Sequence, residues 1–308
     1  MASSTSTTAP GAPPPETRDA LHFPHADAAI LAPYLPPRPS SSSSSTTTTT
    51  AAPRPSDQPH RPFVTLTFAT SLDSALALAP GTQTALSGPA SKAMTHHLRS
   101  RHAAILVGAG TAVADNPSLN CRIAGVGGYG GEEPLAGQPR PVVVDPRARW
   151  DWGGEGRGAG LAKVLRLARE GRGRAPWVVV AEGMGEGVGE GRRTVLEGSG
   201  GKVLEVRVGE DGKMEWKDIL AALTREGIDS VMVEGGAGVI NALLEPRNMQ
   251  LVDSVVVTIA PTWLGQGGVV VSPPRREEKG TAVAAARLKD IKWCPLGEDV
   301  VLCGRLQS

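Results

Sequence analysis

The chain has 308 residues, with 32 Lys and Arg against 31 Asp and Glu, for a formal net charge of +1. That balance excludes recognition of nucleic acid by charge alone, and no run approaches the ~18 apolar residues of a membrane span. The three cysteines, Cys121, Cys294 and Cys303, show no metal-ligand spacing. They argue against a disulfide framework or a metal site and fit a reducing compartment such as the cytoplasm.

Length alone suggests roughly two domains. Residues 1–60, however, are low complexity, with serine and threonine homopolymer runs at 40–45 and 46–50. Such a segment cannot bury enough apolar surface to offset its ordering entropy, so a mostly disordered tail is expected. Its first residues, MASSTSTTAPGAPPPE, lack the charged and apolar regions of a secretory signal. They are Ser/Thr-rich like transit peptides, but Arg is scarce and acids appear by Glu16 and Asp19. Organelle targeting is left open. Residues 26–35 (ADAAILAPYL) read as a short helix, either docked on the domain or transient in the tail. On composition, deletion of residues 1–57 is expected to leave activity and melting temperature nearly unchanged.

Residues 61–308 read as one domain. Residues 63–69 (FVTLTFA) are a strand, 84–87 a short strand, and 89–101 a helix with Pro at its first turn. Residues 103–107 (AAILV) are a buried strand broken by Gly108-Ala109-Gly110-Thr111. Residues 123–139 form a Gly-rich loop. Its match to G-x-G-x-x-G is rejected, because no strand leads in and no helix follows. Residues 141–145 and 177–181 are buried strands with a helix at 161–170 between them. Residues 183–201 read as a low-complexity surface loop, and 203–208 as a strand. Residues 216–225 form an amphipathic helix with Trp216, Ile219, Leu220 and Leu223 on one face. Residues 229–233 are a strand turning through Glu234-Gly235-Gly236-Ala237-Gly238 into a helix at 239–244. Residues 253–260 and 300–305 read as closing strands, paired antiparallel. Alternating strands and helices give an α/β layer fold.

Two loops share a design: ILVGAGT and VMVEGGAG are each an apolar strand, then glycines, then a helix start. Free N–H groups at a helix start suit phosphate, and glycine lets it approach. Two such loops in one sheet suit a dinucleotide; ordinary βα turns are the other reading. Asp73, Arg99, Asp115, Arg122 and Glu234 lie near them in sequence. Arg99 and Arg122 suit a phosphate monoester or surface ion pairs. His96 and His97 are adjacent on a helix and cannot chelate one metal. No nucleophile elbow or Cys/His/Asp set stands out, which points to chemistry supplied by a cofactor.

Five blocks carry a resemblance: PFVTLTFATSLD, MTHHLRSRHAAILVGAGTAVADNPSLNCR, VMVEGGAGVINALL, VVVTIAPTWLG and DVVLCGRL. Together they resemble the stand-alone, fungal-type 2,5-diamino-6-ribosylamino-4(3H)-pyrimidinone 5′-phosphate reductases of riboflavin biosynthesis. The resemblance runs from about residue 62 to the C-terminus. It implies a dihydrofolate-reductase-like α/β domain with a mostly parallel central sheet and helices on both faces, NADPH as cofactor, and a homodimer. It implies cofactor contacts from Thr111, Asp115, Met214, Gly235, Gly236, Ala237 and Gly238. It implies substrate contacts from Ser87, Arg99, Leu119, Arg122 and Glu234, with the arginines on the 5′-phosphate. Asp73 and Glu234 are the candidate proton donors.

The resemblance has gaps. Phe68 and Thr70 stand where the family has Tyr and Gln, and Ala90 where it often has Glu. The implied reaction reduces a ribosylamino group to a ribitylamino group by hydride transfer to C1′. Rival readings are a pterin reductase on the same fold and a nucleotide-sensing or scaffold protein. For the dimer interface, residues 255–264 are the expected segment; an internal strand is the other reading of them.

Overall fold

The computed structural model describes residues 19–38, 61–153 and 160–307. The tail expected over residues 1–18 and 39–60 lies outside the described residues. In chain order the elements are α1 (His25–Leu31), β1 (Phe63–Thr70), β2 (Ala75–Ala77), α2 (Pro89–Ser100), β3 (Ala104–Gly108), α3 (Ala109–Asp115), β4 (Arg140–Val144), α4 (Lys163–Arg169), β5 (Trp177–Ala181), α5 (Glu190–Gly198), β6 (Lys202–Val206), α6 (Trp216–Arg225), β7 (Ser230–Gly235), α7 (Ala237–Leu243), β8 (Ser254–Ile259), β9 (Val269–Val270), β10 (Arg276–Glu278), β11 (Thr281–Val283), β12 (Leu288–Leu296) and β13 (Asp299–Leu306).

Nine of these strands form one sheet in the order β12-β13-β8-β1-β7-β3-β4-β5-β6. From β8 to β6 every pairing is parallel. β13 runs antiparallel to β8 and closes a hairpin with β12. Parallel strands are covered on both faces, so they read as continuous apolar runs. In β3, Ala104, Ile105, Leu106 and Val107 are all at most 1% exposed. Successive side chains serve opposite faces. Leu106 packs with Val142 and Val231 beside Leu223 of α6 and Leu243 of α7. Ile105 and Val107 pack with Val143 and Val178 beside Leu165 of α4 and Leu196 of α5.

A third core cluster holds the N-terminal segment. Leu31, Tyr34 and Leu35 are buried with Met94 and Leu98 of α2 and Val301 and Cys303 of β13. The Tyr34 hydroxyl donates to the Asp290 carbonyl at 2.6 Å, and Arg305 donates to the Pro33 carbonyl at 2.8 Å. Of the two readings of residues 26–35, the docked helix is the one observed.

Three local expectations change. Residues 84–87 form no strand; the Leu78 N–H takes the Thr84 hydroxyl as partner at 3.1 Å instead of a ladder carbonyl. Residues 183–201 contain α5, because burial of Val188 and Leu196 outweighs the poor helix propensity of a Gly-rich stretch. Of the segment 255–264, residues 255–259 take the internal-strand reading, with β8 between β1 and β13 and Val256 fully buried, while Trp263 beyond the strand is 72% exposed.

The chain order places the site. After β1 the sheet grows outward through β3 to β6, then returns to insert β7 between β1 and β3. Open α/β sheets bind ligands outside the carboxyl ends of strands at such reversals. β3 and β7 are neighbours, with Val107 paired to Gly235. The two glycine loops therefore leave the sheet side by side.

Candidate active site

A cleft of about 1600 Å³ opens beside these loops. It exceeds the roughly 300–1,000 Å³ of a pocket for one small ligand, and so has room for two.

One wall is bare backbone. Gly108, Gly110 and Thr111 line it from the β3–α3 turn, and Gly235, Gly236, Ala237 and Gly238 from the β7–α7 turn. Gly235 has φ +123°, a region that side-chain-bearing residues rarely adopt. A Cβ on Gly236 would lie 2.8 Å from Thr111 Oγ1, so the two turns meet through missing side chains. At Gly110 and Gly238 a Cβ would meet nothing within 4 Å. Their backbone faces open space, which suits the close approach of a phosphate. Asp115 and Met214 line the same cleft. Burial pushes the Asp115 carboxyl above its ordinary value.

Another part of the lining is cationic. Arg99 of α2 donates from Nε to Glu234 Oε1 at 2.7 Å and from Nη2 to Oε2 at 2.6 Å. Its Nη1 donates to the Asn120 carbonyl at 2.9 Å. Burial works against the Arg99 charge, but the Glu234 carboxylate outweighs it and raises the guanidinium pKa. Arg122 also lines the cleft, with its N–H on His96 Nδ1 at 3.1 Å. Burial, and then the charges of Arg99, Arg122 and Lys92, push the His96 pKa down to about 2. The ring is therefore a neutral spacer among cations. Ser87 lines the cleft as well.

The structure thus brings Ser87, Arg99, Thr111, Asp115, Arg122, Met214, Glu234, Gly235, Gly236, Ala237 and Gly238 to one cleft. Two predicted site residues stand apart. Leu119, at φ +50°, is 2% exposed and packs into the core; the neighbours Ser118 and Asn120 line the cleft instead. Asp73 is not among the lining residues. Its carboxylate accepts from the Ser71 hydroxyl and from the N–H groups of Leu264 and Gly265 at 3.1 and 2.8 Å. These donors hold its pKa down to about 2. Asp73 is a charged tie between loops, and the expectation that it donates a proton is corrected.

Sequence reasoning passed over Lys92, His96 and Arg172, all of which line the cleft. For the first two the signal was present: Lys92, His96 and Arg99 recur at i, i+4 and i+7, one face of a helix. Among the described residues, no group of His, Cys, Asp or Glu is placed to hold a metal ion.

The model of the RibD C-terminal domain family matches residues 62–302. The chain belongs to the RibD C-terminal domain family. Several fungal curated relatives of this family member are named 2,5-diamino-6-ribosylamino-4(3H)-pyrimidinone 5′-phosphate reductase. The Saccharomyces cerevisiae protein is 38% identical over 247 residues, covering 80% of this chain and 87% of its own. The Eremothecium gossypii protein is 38% identical over 281 residues, covering 91% and 96%. Among solved structures, the riboflavin biosynthesis reductase of Saccharomyces cerevisiae superposes with a TM-score of 0.65 at 33% identity, covering 92% of this chain and 100% of that one. RibD of Acinetobacter baumannii has a TM-score of 0.58 at 24% identity, covering 81% and 59%, and shares the fold.

Proposed function

We propose that this chain reduces 2,5-diamino-6-ribosylamino-4(3H)-pyrimidinone 5′-phosphate to the ribitylamino product with NADPH. The observation that carries the proposal is one cleft lined both by a bare glycine wall and by a cationic wall. The relatives' shared name supplies the substrate.

The glycine wall fits a dinucleotide. Gly110 and Gly238 leave open space where side chains would block phosphate, and Gly235 holds a backbone shape open to glycine. Thr111, Asp115, Met214, Gly235, Gly236, Ala237 and Gly238 would hold NADPH, which supplies the hydride. Asp115, its carboxyl desolvated, is suited to accept bonds from ribose hydroxyls.

The cationic wall holds the substrate. Arg122 and Ser87 take the phosphate end. Arg99 uses its Nε, Nη1 and Nη2 on Glu234 and Asn120, one bond from each nitrogen. It contributes charge and orientation rather than a free fork. Glu234 fixes Arg99 and leads directly into the glycine wall, so it registers substrate against cofactor. Holding both partners in near-attack geometry is worth up to ~7–11 kcal/mol in favourable model systems.

The reading includes a homodimer in the cytoplasm. Cys121, Cys294 and Cys303 are all free thiols, which suits a reducing compartment. Light scattering at assay concentration tests the dimer. The deciding experiment for the function is NADPH oxidation with the ribosylaminopyrimidinone phosphate beside dihydrofolate. Turnover of the first alone is expected; turnover of dihydrofolate alone would overturn the assignment.

A further inference from the structure

The family match begins at residue 62, yet a side chain from before it reaches the cleft. Asp19 lines the cationic end. Its carboxylate accepts two bonds from Arg172 Nη2, at 2.9 and 2.7 Å, and lies 3.7 Å from Arg122 Nη1. Its backbone carbonyl accepts from the same Arg122 Nη1 at 3.2 Å. Arg172 lies over the Tyr129 ring, 5.1 Å from its centroid. Tyr129 is 2% exposed and accepts a bond from Asn120, so this guanidinium is braced from beneath.

The segment that carries Asp19 is fixed beyond it. The Leu21 N–H donates to the Arg122 carbonyl at 2.7 Å, and the Leu21 carbonyl accepts from Ala124 at 2.9 Å. Phe23 stacks on His97 at 5.1 Å. Leu31, Tyr34 and Leu35 are buried. The Asp19 side chain itself is 43% exposed. A stiff anchor thus presents a carboxylate that can swing into water.

We propose that Asp19 is a built-in competitor for the anion-binding end of the cleft. Its carboxylate occupies Arg122 and Arg172 until a phosphate ester displaces it. The proposal rests on the reading of this end as the phosphate site. A phosphate monoester brings more charge and three acceptor oxygens, and so displaces a carboxylate. A ligand without phosphate lacks that advantage. Because any anion that uses these guanidiniums must displace the same carboxylate, Asp19 lowers their apparent affinities by a common factor, and the anions with the strongest intrinsic contacts still bind.

The test is equilibrium binding of inorganic phosphate to the full chain, followed by calorimetry. Relief of a partly exposed ion pair predicts binding about two- to five-fold tighter in Asp19→Asn. Asp19→Glu, which keeps the charge, is expected to stay near wild type, and Arg122→Ala to bind more weakly. Equal melting temperatures for the Asp19 variants and wild type establish that the fold is intact. Unchanged or weaker binding in Asp19→Asn, with Arg122→Ala still impaired, overturns the role of Asp19 and leaves the phosphate site standing. Equal binding by wild type and Arg122→Ala overturns the phosphate site and this proposal with it.

Discussion

Arg99 and Glu234 form a two-pronged ion pair, at 2.7 and 2.6 Å, that ties helix α2 to the end of strand β7. The next residue after Glu234 is Gly235, whose φ of +123° starts the glycine wall. One residue therefore anchors the cationic wall by its side chain and the glycine wall by its main chain. Both partners are largely withdrawn from water, at 12% and 15% side-chain exposure.

Removing one partner of such a pair leaves an uncompensated charge. Glu234→Gln is expected to cost on the order of 3 kcal/mol of stability, measured by urea unfolding, and to lower turnover. The double variant Arg99→Met with Glu234→Met is expected to regain most of the stability, because apolar replacements carry no desolvation cost. It should not regain turnover. Recovery of both would make the pair a structural strut alone.

Gly238→Asp tests the glycine wall. A Cβ there meets nothing within 4 Å, so the variant is expected to fold with wild-type stability. The added carboxylate would stand in the space assigned to the cofactor. Fluorescence titration should show NADPH affinity reduced at least ~10-fold, about 1.4 kcal/mol. Wild-type affinity would remove the cofactor from this wall.

Asp73 separates a structural carboxylate from a catalytic one. Its folded pKa of about 2 lies below the ordinary 3.8, so the ionised form stabilises the loops. That contribution is present above about pH 4 and is lost as pH falls through about 2. Asp73→Asn is therefore expected to melt below wild type at neutral pH, with the gap closing as pH drops toward 2. Turnover should persist. Loss of a true proton donor would cost about 10²- to 10⁴-fold.

Much of this architecture was legible in the chain. Apolar runs such as AILV and VMV announced buried strands, and the glycines after them marked the cleft wall. α6 was readable because Ile219, Leu220 and Leu223 keep helical spacing. What escaped had tertiary causes. α5 hides in a Gly-rich stretch and exists because Leu196 reaches the core. Asp73 reads as an acid, but its donors include N–H groups of Leu264 and Gly265, far along the chain. Leu119 is turned inward by a positive φ that sequence does not announce. Asp19 meets Arg122 and Arg172 only because residues 19–38, which carry it, pack against α2.

The docked segment replaces the composition-based expectation for the tail. Leu31 is 2% exposed among Met94, Leu98 and Val301. Leu31→Ala is expected to cost about 2–5 kcal/mol through lost burial and the cavity left behind. Deleting residues 1–57 should lower the melting temperature by several degrees. A truncated chain that melts with wild type would mean the segment contributes no stability.

The central claim is hydride transfer to the sugar carbon of a phosphorylated aminopyrimidine. It is tested most directly with NADPH deuterated at the transferred position of the nicotinamide, incubated with the ribosylaminopyrimidinone phosphate and the full chain. Mass and NMR analysis of the product then locate the label. One deuteron at C1′ of a ribitylamino product is the expected result. A product without deuterium at C1′, or NADPH left unoxidised in the presence of this substrate, would contradict the account.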